Sequence, residues 1–280
     1  MKTALLMSIL TVLLMVMGYI VGILLSVHPF YVVAVAFAVA VVLSVAFYQY
    51  ADKIVLKMFG ANIVSESIAP EPYSMIFRLS KKAGIPMPRI AIINSEAPNA
   101  FAVGRNPEIA VIAVTSGALS LLRREELEAV LAHELGHIKN SDMFMSTLIA
   151  AIVGAVGPAL LLWSGRSRKE LGYTQLLQAV LLFIFVPLAV FLIRAAVSPS
   201  REYAADAVGA AISGNPHALG NALIRIEDSI RENPSTQGSP ATAHLFIINP
   251  FRTRRLVHLL RTHPSTESRV QRLTEMAENQ

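Results

Sequence analysis

The chain has 280 residues, of which 54% are hydrophobic and 15% charged, with a mean hydropathy of +0.54. Soluble globular chains carry about 25% charged residues, so much of this one is expected to sit in lipid. The net charge of +5 specifies no partner, and the absence of cysteine excludes disulfides, thiolate metal sites and cysteine nucleophiles, leaving imidazole and carboxylate for any metal.

Four uncharged stretches run from Thr3 to Val27, Phe30 to Ala51, Met143 to Gly165 and Leu171 to Ile193. Each exceeds the ~20 helical residues that cross a ~30 Å hydrocarbon core. The first is longer than the apolar region of a signal peptide and lacks a small-residue cleavage site after it, so it reads as a retained span. Gly18 and Gly22 form one small-xxx-small spacing, read here as packing within the chain rather than as a dimer motif. Pro187 is expected to kink or bound the fourth stretch.

The segment from Asp52 to Asp142 carries ten basic and ten acidic residues, a soluble composition. It opens as a helix, is punctuated by Pro70 and Pro72, and continues as a helix over Tyr73–Ala83 that stops at Gly84. Arg89–Ile93 and Glu108–Val114 read as short strands, and Asn99–Gly104 as a third strand closing in a turn. A long helical pattern begins near Arg123. After the fourth stretch, Ser200–Gln280 reads as helices broken at Gly214-Asn215-Pro216 and over Asn233–Pro240. The late run Arg252, Arg254, Arg255, Arg261 reads as a solvated face; with no nucleic-acid module elsewhere, no nucleic-acid partner is expected.

His133-Glu134-Leu135-Gly136-His137 matches H-E-x-x-H. Acidic residues and strong helix formers precede it, and Leu127, Val130, Leu131, Leu135 and Ile138 share one face. His133 and His137, four residues apart, project from one side and can share a metal, while Glu134 can reach water at that metal. A catalytic zinc needs a third protein ligand. Ser200-Arg201-Glu202-Tyr203-Ala204-Ala205-Asp206 is the best source: Glu202 would complete the set, and Asp206, one turn on, could fix the orientation of a ligand histidine. Two spans separate His137 from Glu202, which returns the chain to the same side of the membrane. His28, His217, His244 and His258 show no partner pattern and read as ordinary loop or surface residues.

HELGH, an apolar pair of segments, SREYAAD, the earlier PNAFAVG and the late THPSTESRVQRL together resemble the HtpX-like membrane zinc metalloproteases, relatives of the CAAX prenyl proteases. The resemblance covers nearly the whole chain. It implies an α+β membrane protein: four transmembrane helices with a gluzincin-type, mostly helical metalloprotease domain carrying a small β-sheet. It further implies one Zn2+ per chain with Glu202 as third ligand, and hydrolysis of damaged or misassembled membrane proteins. His263 would lie near substrate and help hold the oxyanion, supported by Arg269, and Asn99 would bond a substrate backbone beside an edge strand. Glu108–Val114 is the expected edge strand for substrate addition.

Lys2, Lys53, Lys57, Lys139, Arg194 and Arg201 fall on one side of the spans and His28-Pro29 carries no basic residue, placing both termini and the site in the cytoplasm, within the inner cell membrane. Arg166, Arg168 and Lys169 oppose this if the third and fourth stretches fully cross. The rival readings are a CAAX-type processing protease, a non-enzymatic zinc scaffold and a transporter. A closed structural zinc usually has four ligands, often thiolates, and the four stretches lack the midplane charges of a transporter.

Overall fold

Proline opens helices at Pro29, Pro70, Pro199 and Pro216, and Gly84 and Gly214 close two of them. In the computed structural model, residues 2–24, 26–166, 191, 198–233, 240–249 and 263–279 are described. Two compact units emerge, Met1–Ala51 with Pro158–Phe185, and Asp52–Gly157 with Val186–Gln280. The fourth apolar stretch apart from Phe191, the Arg252–Arg261 run, His258, Arg194 and the opposing Arg168 and Lys169 lie outside the described residues.

In the first unit, α1 (Lys2–Leu24) and most of α2 (Pro29–Met58) form the apolar pair. Both are long and apolar enough to cross a membrane. Their large apolar side chains, Leu5, Val12, Phe30 and Val42 among them, point outward, as lipid-facing helices require and buried core helices do not. A Cβ on Gly18 would stand 2.8 Å from Ala36 Cβ, and one on Gly22 would stand 2.9 Å from Pro29 Cα. The small-residue spacing thus packs α1 on α2 within the chain.

The second unit begins inside α2, whose last turns bury Val55 and Leu56. A four-stranded sheet follows with order β1-β2-β4-β3, from β1 (Asn62–Val64), β2 (Arg89–Ile93), β3 (Ala100–Val103) and β4 (Val111–Thr115). β1 and β2 are antiparallel, β2 and β4 parallel, and β4 and β3 antiparallel. Glu108–Val114 is therefore not an edge. Strand β4, entirely buried, lies between β2 and β3, and the edges are β1 and, on the side next to β4, β3. The sequence reading failed here because strand order depends on long-range pairing, whereas local pattern reports only that a strand exists.

Helix α3 (Pro70–Ala83) ends at Gly84, whose φ of +70° is the left-handed turn that glycine supplies without strain. With α4 (Ser116–Leu121), α5 (Arg124–Lys139), α7 (Pro199–Ser213), α8 (Pro216–Glu232) and α9 (Thr266–Glu278), it forms a helical layer around one core. That core runs from Met75, Ile76 and Leu79 through Val130, Leu131 and Leu135 to Leu219, Leu223 and Leu273.

Helix α6 (Met143–Arg166) covers the third apolar stretch, yet Met143 and Leu148–Val153 are 0–5% exposed within the second unit. Beyond Val153 the helix is about 20 Å long at 1.5 Å per residue, short of a ~30 Å hydrocarbon core. Apolar composition here reports protein core as much as lipid.

Candidate metal centre

Helix α5 starts where the Glu126 carboxylate accepts the Arg123 N–H at 2.8 Å, satisfying one of the donors that a helix start leaves open. Its central turns, Ala129 to Gly136, are almost wholly buried. Helix α7 crosses it at unusually short range. A Cβ on Gly209 would lie 2.8 Å from both the backbone N and Cα of His133, and one on Gly136 would lie 2.9 Å from the Ala205 carbonyl oxygen. This crossing brings Glu202 opposite the two histidines.

His133 Nε2 and His137 Nε2 stand 3.2 Å apart. Glu202 Oε1 is 3.6 Å from His137 Nε2, and Oε2 is 3.9 Å from His133 Nε2. Atoms bound at 2.0–2.1 Å to a tetrahedral centre stand about 3.4 Å apart. The three side chains therefore make one group able to hold a metal ion.

The outer ring nitrogens are engaged as well. His133 Nδ1 lies 3.0 Å from Asp206 Oδ1, and His137 Nδ1 lies 2.9 Å from Asp142 Oδ1. Both contacts turn Nε2 toward the common point, the usual carboxylate–histidine arrangement of metal sites. Arg269, 1% exposed, grips Asp206 with Nε on Oδ2 at 2.8 Å and Nη2 on Oδ1 at 2.6 Å. It is committed to Asp206 rather than to His263, and its Nη1 lies 3.7 Å from Glu202 Oε2.

Electrostatics follow from this burial. Burial opposes ionisation of Asp206, but Arg269 and His133 outweigh it and hold the carboxyl down at about 2. Burial also opposes the Glu202 charge, and His263, His137 and Arg269 overcome it, keeping Glu202 well below its ordinary value. Burial lowers His133 against the opposing pull of Asp206, favouring the neutral ring that binds a metal. His137 loses charge stability to burial, yet Asp142 and Glu202 raise it to about 9. Glu134 is pushed up to about 7, chiefly by burial, although its carboxylate accepts the Ala102 N–H of β3.

His263 Nδ1 lies 2.9 Å from Glu202 Oε2, and its Nε2 has no hydrogen-bond partner among the described residues. Asn99, 1% exposed, spends its amide on the chain itself, accepting the Ile247 N–H at 3.1 Å and donating to the Leu245 carbonyl at 3.5 Å. His244 is not a surface residue: it is 3% exposed, lines the cleft beside Phe246 and Ile247, and places Nε2 3.1 Å from the Ser146 carbonyl. Sequence reasoning also missed Asp142. It lies five residues past His137, the wrong face of a continuing helix.

These geometries can be set beside known proteins. Residues 69–277 match the sequence profile of Peptidase family M48. The chain belongs to that family. It is 45% identical to the protease HtpX homologue of Thermococcus kodakarensis over 99% of this chain and 96% of that one. Identity to the Pyrococcus furiosus protease HtpX homologue is 44%, over 99% and 95%. With the Aquifex aeolicus protease HtpX homologue it is 44%, over 82% and 79%. Among solved structures the fold is similar to that of S. mikatae Ste24p, with a TM-score of 0.50 at 18% identity, covering 97% of this chain and 64% of that one. At that identity the likeness concerns fold alone. Family membership together with the outward-facing apolar helices α1 and α2 makes the chain an HtpX-like membrane metalloprotease with polypeptide substrates.

Proposed function

We propose that this M48 chain is a zinc endopeptidase anchored in the cell membrane, with its catalytic side in the cytoplasm, that hydrolyses peptide bonds of damaged or misfolded membrane proteins. The observation that carries the reading is the convergence of His133, His137 and Glu202, with the Glu134 carboxylate held beside them on the Ala102 N–H. Two imidazoles and a carboxylate are a donor set suited to catalytic zinc, and the ligand spacing fits its bond lengths. Zinc bound there would polarise a substrate carbonyl and acidify water.

The remaining steps belong to the chain's own residues. Glu134, raised to about 7, is poised to take a proton from the attacking water and pass it to the leaving amine. His263 lines the cleft with Nε2 unpartnered among the described residues, and in its doubly protonated form would donate from that nitrogen to the oxygen that gains charge. The outward backbone of edge strand β3 offers an extended substrate its hydrogen bonds. The quality-control role draws on the resemblance of the sequence motifs to the HtpX-like proteases, and the cytoplasmic side on Lys2, Lys53, Lys57, Lys139 and Arg201.

Zinc content and casein cleavage in detergent test the reading for wild type, Glu134→Gln and Glu202→Ala. Wild type should hold one zinc and cleave. Glu134→Gln should keep the zinc and lose roughly 100- to 10,000-fold in turnover, and Glu202→Ala should lose zinc affinity. A Glu134→Gln chain that cleaves as well as wild type would overturn the mechanism and favour a scaffold.

A further inference from the structure

The edge strand is tied to the helices at two points along its outward side. Thr115 donates its N–H to the Asn99 carbonyl at 3.0 Å, and the register pairs Phe101 with Ala113 and Val103 with Val111. Alternation in an antiparallel pair then turns the backbone groups of Ala100 and Ala102 away from β4, and the Gly104 N–H, next in the series, follows them. The Ala102 N–H meets the Glu134 carboxylate on α5. The Gly104 N–H meets the Thr147 hydroxyl on α6 at 3.3 Å.

Thr147 is fully buried, and its hydroxyl donates to the Met143 carbonyl at 2.8 Å. Its one proton is engaged there, so a lone pair faces Gly104. A Cβ on Gly104 would stand 3.0 Å from Ala110 Cα and 3.4 Å from Met143 Cε, so glycine lets the strand end come this close to α6. The first turns of α6 hold the rest of the cleft as well. Asp142, directly before them, orients His137, and the Ser146 carbonyl accepts His244 Nε2 from the facing wall. Ala100, Phe101 and Ala102 of β3 line the cleft with Met143 and Ser146, whereas Gly104 and Thr147 lie behind its end.

We propose that Thr147 is a positioning residue for the substrate: by tying Gly104 to α6, its hydroxyl holds edge strand β3 in line with the metal-bearing helix α5. The proposal rests on the peptidase reading above. An extended substrate would lie on the sheet, while the metal belongs to the helices, so catalysis needs the two layers in register. The contact between Ala102 and Glu134 alone would let the strand pivot. A second contact two residues on, about 7 Å along the strand, fixes its direction. A displacement of about 1 Å at a reacting centre can cost roughly 100-fold in rate, so a buried hydroxyl that touches no substrate still governs turnover.

The test uses the full zinc-loaded chain in detergent. Thr147→Val keeps the side-chain volume and removes the hydroxyl, and Thr147→Ser keeps the hydroxyl. The probe is fluorescein-labelled casein, an unfolded polypeptide that offers many sequences, read by anisotropy in a Glu134→Gln background that holds it uncut. Thr147→Val should weaken casein binding at least tenfold, and Thr147→Ser should stay within about threefold of the parent chain. Zinc affinity, from chelator competition, should be unchanged in both. With Glu134 in place, the Thr147→Val loss should fall on KM more than on kcat. A further arm keeps Thr147. Opening of the joint between Gly104 and Thr147 and binding of an extended segment exclude each other. Casein at 100 times its Kd should therefore slow amide exchange at Gly104, by up to about 100-fold. This arm decides even where Thr147→Val does not fold.

Four results overturn the proposal: undiminished casein binding in Thr147→Val, zinc affinity falling in step with casein affinity, Thr147→Ser no better than Thr147→Val, or Gly104 exchange indifferent to casein. Casein neither bound nor cleaved by wild type sinks the peptidase reading and the proposal with it. Casein cleaved equally well by wild type and Thr147→Val sinks the positioning role alone.

Discussion

His137 Nδ1 sits 2.9 Å from Asp142 Oδ1, a contact made possible by Ser141. Five residues along a continuing helix turn about 140° away from the starting face. Ser141 instead takes a φ of +54°, with its N–H on the Ile138 carbonyl and the Asp142 N–H on the His137 carbonyl. The chain folds back over its own helix end and delivers the carboxylate to the ring.

Asp142 should therefore act on metal binding more than on folding. Losing an outer carboxylate from a ligand histidine costs about 10- to 100-fold in metal affinity. Asp142→Ala is expected to fall in that range and Asp142→Asn, which keeps an acceptor oxygen, nearer its lower end. Titration against a zinc chelator measures this, and undiminished affinity in Asp142→Ala would remove the residue from the site.

Gly209 has a different claim on the metal. Any side chain there meets the His133 backbone at 2.8 Å, so α7 must back away from α5 and carry Glu202 with it. Gly209→Ala is expected to cost about 1–3 kcal/mol through overpacking and to weaken zinc binding as well. Gly220→Ala is the control: its Cβ would find Val270 at a comfortable 3.8 Å, and alanine favours the helix. Thermal unfolding and chelator competition should separate the two variants in the same direction; equal behaviour would refute the close-approach argument.

The buried Arg269–Asp206 pair predicts strong coupling. Removing one partner leaves an unpaired charge inside the protein, worth roughly 3–5 kcal/mol. Arg269→Ala should lose about that much in chemical denaturation of the metal-free chain, and Arg269→Lys should rescue little, since an ammonium cannot reproduce the two-point grip. Removing both residues, as Arg269→Met with Asp206→Asn, should cost less than the sum of the single losses. Additive losses would show that the pair is not the unit.

The sequence was most legible where chemistry is local. Two histidines one helical turn apart share a face on any helix, so His133, Glu134 and His137 could be named from spacing, and Gly84 and Gly214-Asn215-Pro216 ended helices where they stand. Glu202 could be proposed because α7 begins at Pro199 and presents one acidic residue in its first turn. What depends on distant pairing was not legible. The three-residue strand β1 shows no alternation to read, and β4 took the edge in prospect because strand order leaves no local mark. His244 meets Ser146, 98 residues away. Asn99 is expected from the sequence to bond a substrate backbone, whereas its amide meets Leu245 and Ile247 of the chain itself, nearly 150 residues on.

The third apolar stretch shows the same limit and yields the last prediction. An uncharged run of this length fits lipid and protein core equally well in composition, and burial distinguishes them. Ala150 on α6 is fully buried, whereas Ala38 on α2 is exposed on a helix whose neighbours Phe37 and Val39 face outward. Enlarging a lipid-facing alanine adds apolar surface to an apolar solvent and displaces no protein atoms. Enlarging a core alanine forces off-rotamer neighbours and shifts backbone, at about 1–3 kcal/mol or more. Ala150→Phe should therefore lower the thermal midpoint in detergent and reduce zinc retention on heating, while Ala38→Phe should change neither. If both substitutions are silent, the first half of α6 faces lipid, and the stretch from Met143 regains its standing as a complete span.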